Sequence, residues 1–116
     1  MKSNRFTVSL DEGVMPEWEV IQYLKPRPVR RRQQDILAFV YAGRAAIVSG
    51  APLYSQLDFS GLPRDKVRYD IYLQPNAGHD KLVLDSIKDI PRYQQPQWLK
   101  VALVMGHIAH TRRISG

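Results

Sequence analysis

The chain contains no cysteine, so neither a disulfide framework nor a thiolate metal site can form. It has no stretch approaching the ~20 continuous apolar residues of a membrane span. Met1 to Leu10 is polar and alternating, without the apolar segment of a secretory signal. A cytoplasmic protein without membrane contact is therefore expected. Also missing are a phosphate-binding glycine loop, a nucleophile elbow and an HExxH pattern. His107 and His110 stand one helical turn apart, but no carboxylate or cysteine is at ligand spacing, so a surface or half-buried role is expected for them, not a metal site. Neither enzymatic activity nor a cofactor is expected.

What the chain does have is positive charge: 17 Lys and Arg against 11 Asp and Glu, a formal net charge of +6. The excess is even, with eight basic and five acidic residues through Gly50 and nine and six after it. Such a balance favours a polyanionic partner, of which nucleic acid and acidic membrane surfaces are the usual kinds. With 116 residues, 44% of them hydrophobic, the chain can bury one modest core but not two. One domain over residues 1–116 is expected.

That domain contains a repeat. An offset of 63 positions aligns the chain with itself without a gap. Arg5-Phe6-Thr7-Val8-Ser9-Leu10 falls on Arg68-Tyr69-Asp70-Ile71-Tyr72-Leu73, and Ile36 to Gly43 falls on Leu99 to Gly106. Lys25, Pro28 and Gln34 meet Lys88, Pro91 and Gln97. Each copy opens with a period-two segment, Phe6, Val8 and Leu10 or Tyr69, Ile71 and Leu73 facing one side of a short strand. A helix follows in each, with Trp18, Ile21 and Leu24 on one face of the first and Val83, Leu84 and Ile87 on one face of the second. Pro26 and Pro28, or Asp89 and Pro91, end it. Asp11, Glu12, Glu17 and Glu19 crowd the start of the first copy's helix, where capping and the helix dipole account for them.

The last helix of each copy has the cleanest period. Ile36, Phe39, Val40, Gly43 and Ile47 recur at helical spacing and are matched by Leu99, Ala102, Leu103 and Gly106. Pro96 suits a first helical turn, which places the first copy's helix start near Gln33. Glycine in mid-helix costs ~1 kcal/mol relative to alanine, and a tight helix crossing at Gly43 and Gly106 is the simplest compensation. The units are expected over residues 4–49 and 67–113. A connector over 50–66 carries Leu53, Tyr54, Leu57 and Phe59 and is expected to pack against the domain.

A single strand-helix-helix unit of this size cannot cover its own strand; two can, if the strands pair antiparallel over the helices. With the strand Arg5 to Leu10, a first helix, and Arg30-Arg31-Arg32-Gln33-Gln34-Asp35-Ile36 leading to Gly43, the chain resembles the ribbon-helix-helix family. Members are normally homodimers, but tandem ones exist among accessory proteins of bacterial DNA transfer, including TraY-type relaxosome proteins. A looser resemblance is to ParR-type plasmid-partition adaptors.

The resemblance implies an α+β, single-chain pseudo-dimeric fold, a two-stranded antiparallel ribbon over four helices, acting as a monomer on double-stranded DNA and able to assemble along it. The exposed strand faces, Arg5, Thr7 and Ser9 with Arg68, Asp70 and Tyr72, would read bases in the major groove. Arginine suits guanine O6 and N7, Thr and Ser suit several bases, and aspartate can accept from cytosine N4. Asp70 is the awkward member, since phosphates repel it; it either contacts a base or orients Arg68 or a cross-strand arginine. Lys25, Arg30, Arg31 and Arg32 in one copy and Lys88, Arg92, Tyr93 and Gln94 in the other lie before the last helix as phosphate contacts.

Because the two reading faces differ, an asymmetric target site is expected. The implied role is an accessory one in plasmid or mobile-element DNA transfer, with other DNA-processing or partition proteins as further partners. A transcriptional repressor or partition adaptor is the close alternative. A module that docks an acidic protein partner is the alternative from another class.

Overall fold

The structure, a computed structural model, describes residues 4–54, 65–76 and 78–115. Strand β1 (Asn4–Asp11) leads into helices α1 (Met15–Leu24) and α2 (Val29–Val48). Strand β2 (Lys66–Leu73) leads into α3 (Gly78–Ile87), a 3-10 turn over Arg92–Gln94, and α4 (Gln95–Ser115). The strands pair antiparallel as a two-stranded sheet, so the fold is α+β with four helices. No helix among the described residues is long and apolar enough to cross a membrane.

The alternation read from the strands sets their faces. Val8, Leu10, Tyr69, Ile71 and Leu73 are buried and Phe6 is partly so, packed over one core with Val20, Ile21, Leu24, Ile36, Phe39, Val40, Val83, Ile87, Leu99, Ala102 and Leu103. Both repeats supply that core. The register places Thr7 opposite Asp70, a pair that is itself 63 positions apart.

Two expected helix details are corrected. Trp18 is 40% exposed, and the buried face of α1 is instead Glu17, Val20, Ile21 and Leu24. These recur at i, i+3, i+4 and i+7, a full apolar stripe with a carboxylate at its N-terminal end. Helix α2 starts at Val29, not near Gln33, so Arg30, Arg31 and Arg32 form its first turn instead of preceding it. Pro28 stands at its N-cap in extended geometry, and its carbonyl accepts the Arg32 N–H.

The two copies differ here for a covalent reason. Pro96 is the second residue of α4 and has no N–H to give the Arg92 carbonyl, which accepts from the Gln95 N–H instead. A bond to i+3 in place of i+4 makes the preceding turn 3-10. At its other end α2 closes with Gly50 at φ 86°. The Gly50 N–H reaches the Ile47 carbonyl and the Ala51 N–H the Ala46 carbonyl, the Schellman arrangement that glycine permits.

The expected close crossing is found where α2 meets α4. A Cβ on Gly43 would lie 1.7 Å from the Ala102 carbonyl oxygen, and one on Gly106 would lie 1.8 Å from that of Phe39. The contacts are reciprocal, because Phe39 and Ala102, like Gly43 and Gly106, are equivalent under the 63-residue offset. Of the connector, Leu53 is 61% exposed and Tyr54 packs against the core; Leu57 and Phe59 lie outside the described residues.

Beside the crossing, Tyr23, Phe39 and His107 meet edge to face with centroids 5.3 to 5.4 Å apart, and His110 joins them. His107 is 6% exposed, and among the described residues its Nδ1 has no hydrogen-bond partner. Burial, and secondarily the neighbouring His110, lower its pKa below the ordinary 6.5.

Gly43→Ala or Gly106→Ala would drive a methyl into backbone that cannot yield, so each is expected to destabilise by about 3 kcal/mol or more in urea unfolding. An acid dependence also follows. With the folded-state pKa of His107 below 6.5, the unfolded chain takes the proton more readily, so this residue's contribution is complete above pH 6.5 and is lost as the pH falls through the folded-state value. Thermal melts of wild type should fall faster over that range than melts of His107→Phe; parallel profiles would refute the assignment.

Candidate nucleic-acid interface

Opposite the core, the ribbon presents three cross-strand rows: Arg5 with Tyr72, Thr7 with Asp70, and Ser9 with Arg68. Arg5, Thr7, Arg68 and Tyr72 are exposed and Ser9 and Asp70 are partly so. All six sequence-predicted base-reading residues therefore share one outer face. Arg5 and Arg68, on different strands and each two residues from the middle row, lie diagonally across it. Of the two roles expected for Asp70, a base contact or the orienting of an arginine, the second is not found. The Thr7 hydroxyl donates to its Oδ1 at 2.6 Å, and among the described residues Asp70 has no cationic partner.

Helix packing decides which basic groups flank this face. Helix α4 packs on β1, while α2 reaches β2. A groove of about 710 Å³ runs beside β1 and is lined by Arg5, Thr7, Asp85, Lys88 and Arg92 among others. A second, of about 280 Å³, joins Thr7 and Ser9 to Lys66, Tyr93, Gln97 and Lys100. Lys88, Arg92 and Tyr93 are exposed, and the grooves bring them next to Arg5, Thr7 and Ser9 of β1. Gln94 is exposed too and donates from Nε2 to the Tyr93 hydroxyl. Lys66 and Lys100 were not anticipated as neighbours of this outer face.

In the first repeat, Lys25, Arg30 and Arg31 are exposed, and among the described residues their side chains have no hydrogen-bond or ion-pair partner. Arg32 has a different duty. Its guanidinium donates to the carbonyls of Leu24 at 3.3 Å, Arg27 at 3.2 Å and Lys25 at 3.5 Å, closing the C-terminal end of α1. Gln95, its equivalent by the offset, donates to Ile87 and Ile90, the positions that match Leu24 and Arg27. Arg27 is likewise occupied, ion-paired with Asp35 at 3.4 Å and stacked over Tyr23.

The site rests on two buried carboxylates whose full role was not read from the sequence. Glu17, 1% exposed, accepts the Asp11 N–H at the end of β1, and Asp80, 5% exposed, accepts the Gln74 N–H just past β2. These are equivalent bonds under the offset. Each acid is also tied to the opposite repeat or the connector: Glu17 to Lys100 at 3.5 Å and to the Tyr54 hydroxyl, Asp80 to the Tyr41 hydroxyl. Burial, with the adjacent carboxylate, raises the pKa of both tyrosines, so they remain donors. Capping accounts for only part of what Glu17 does. The 63-residue pairing of Glu17 with Asp80 was the signal that could have exposed it.

Comparison of the chain with protein-family models, with curated proteins and with solved structures finds no match.

The separation of Arg31 from Arg32 is measurable without any ligand. Arg32→Ala should lower stability by about 1–2 kcal/mol through its lost carbonyl contacts, whereas Arg31→Ala should stay within about 0.5 kcal/mol of wild type. Urea titrations that give equal losses would contradict the capping role.

Proposed function

We propose that the chain is a pseudo-dimeric ribbon-helix-helix protein that binds double-stranded DNA with sequence preference, its ribbon entering the major groove. The observation that carries this reading is the outer face itself, with Arg5, Thr7, Ser9, Arg68, Asp70 and Tyr72 in three adjacent rows and free cations on the flanking helix starts. A two-stranded ribbon fits the major groove, where the four base pairs are all distinguishable. In this reading exposed Lys25, Arg30 and Arg31 of the first repeat and Lys88 and Arg92 of the second hold phosphates while the ribbon reads. The reciprocal glycine crossing and the matched Glu17 and Asp80 bonds support two equivalent halves in one chain.

The resemblance to tandem transfer proteins favours an accessory role in plasmid or mobile-element DNA processing. Repression and partition would use the same binding chemistry, and a map of bound DNA near a transfer origin, a promoter or a centromere-like repeat tells them apart.

The test is a gel shift with specific and random duplexes over a salt series. Arg5→Ala should relax base choice at one position and weaken binding to the specific duplex more than binding to random DNA. Arg31→Ala should weaken binding to every sequence and reduce the slope of log affinity against log salt by roughly one. Equal effects of both changes on specific and random DNA would overturn the division of labour. An absence of retardation beyond non-specific levels at physiological salt would favour the alternative in which the face docks an acidic protein partner.

A further inference from the structure

Among the described residues of the ribbon's outer face, the middle row is where a side chain of one strand hydrogen-bonds a side chain of the other. We propose that Asp70, held by Thr7, is a specificity-determining residue that selects a base pair presenting an exocyclic amino group, cytosine N4 foremost, at the centre of a site whose two flanking guanines are inverted. The proposal rests on the reading that this face meets the DNA major groove.

Hydrogen-bond supply decides the chemistry. A threonine hydroxyl has one hydrogen, and Thr7 spends it on Asp70 Oδ1 at 2.6 Å. The row is left with lone pairs only: those of the hydroxyl and those of a carboxylate whose Oδ2 has no described partner. In the major groove the donors are cytosine N4 and adenine N6. Adenine sets its N7 lone pair beside N6, which a second carboxylate oxygen would oppose, so cytosine is favoured.

The outer rows behave differently. Arg5 and Arg68 are donor-only groups suited to guanine O6 and N7, and they lie at opposite ends of the face, two residue pairs from the centre on each side. Their demands are the same, so the two guanines they select are inverted, whereas Tyr72 beside Arg5 and Ser9 beside Arg68 remain unlike and the centre is asymmetric. A carboxylate with no cation beside it also disfavours every sequence that lacks a central donor, since phosphates on both groove walls repel it. Selectivity at this row thus comes from rejection as much as from attraction.

Selection of bound duplexes from a random pool, run with wild type, Asp70→Asn and Asp70→Thr, tests this. Thermal melts would first confirm that all three chains are folded. Wild type should return inverted outer guanines and a central C·G preferred roughly tenfold or more. Asp70→Asn, which adds a donor beside the acceptor, should shift the centre toward adenine. Asp70→Thr should make the middle row alike on both strands and abolish the central C·G preference, while Ser9 and Tyr72 still differ. Both variants should bind random DNA more tightly than wild type, because a negative charge has left the face.

A central preference identical in all three chains, or none in wild type while the outer guanines persist, would overturn the role of Asp70 and leave the ribbon reading standing. Failure of wild type to select any sequence would overturn the ribbon reading, and this proposal with it.

Discussion

Contact of backbone on backbone where α2 crosses α4 is the constraint on which the other features depend. Helices that meet through side chains keep their axes roughly 8–10 Å apart. At Gly43 and Gly106 there is no Cβ between them, and each glycine faces the carbonyl of the opposite helix. These two helices share the most extensive contact in the fold, and their depth of approach brings side chains from both repeats into one core. Because the two glycine contacts are mutual, neither repeat can shift without the other. The ribbon register, in which Thr7 opposes its own equivalent Asp70, matches that geometry at the far side of the core.

Burying Glu17 and Asp80 beneath the ribbon would be costly if the carboxylates were unpaired. Each takes the N–H at a strand end, and each receives a tyrosine hydroxyl from elsewhere in the chain. The strand-end N–H would otherwise be an unsatisfied donor at the point where the sheet stops. The carboxylate therefore fixes the angle at which the chain leaves the strand and enters the helix. Lys100 and Tyr41 carry that constraint across to the other repeat, linking the ribbon's ends to the same two helices that cross at the glycines.

Most of the architecture was legible in the sequence because it follows from periodicity. Strand alternation, the period of the last helices, the proline breaks and the mid-helix glycines each have one sterically reasonable outcome. What could not be read depended on partners remote in sequence. Trp18 fits the helical spacing with Ile21 and Leu24, but spacing alone does not reveal that a strand-end N–H draws Glu17 inward and turns Trp18 toward solvent. Within the run Arg30, Arg31 and Arg32 the residues look interchangeable. Helix α2 begins at Val29, however, so successive side chains point about 100° apart, and Arg32 alone falls against the carbonyls of α1. At the candidate site the six outward residues were identifiable by parity. The Thr7 to Asp70 bond was not, because it required knowing the register.

That bond also bears on why two copies occupy one chain. A strand paired antiparallel about its own equivalent position must, in a homodimer, place the same residue against itself at the centre. Two aspartates there would set like charges directly opposite each other, which destabilises a ribbon; two threonines would remove the carboxylate. A hydroxyl donating to a carboxylate at the middle row needs two unlike strands held in a fixed pairing, and covalent linkage of the repeats supplies this without dependence on protein concentration. The shared core makes the halves conform to each other through Gly43, Gly106, Glu17 and Asp80. Their outer faces carry no such demand, and so the central row could diverge while the diagonal arginines stayed alike.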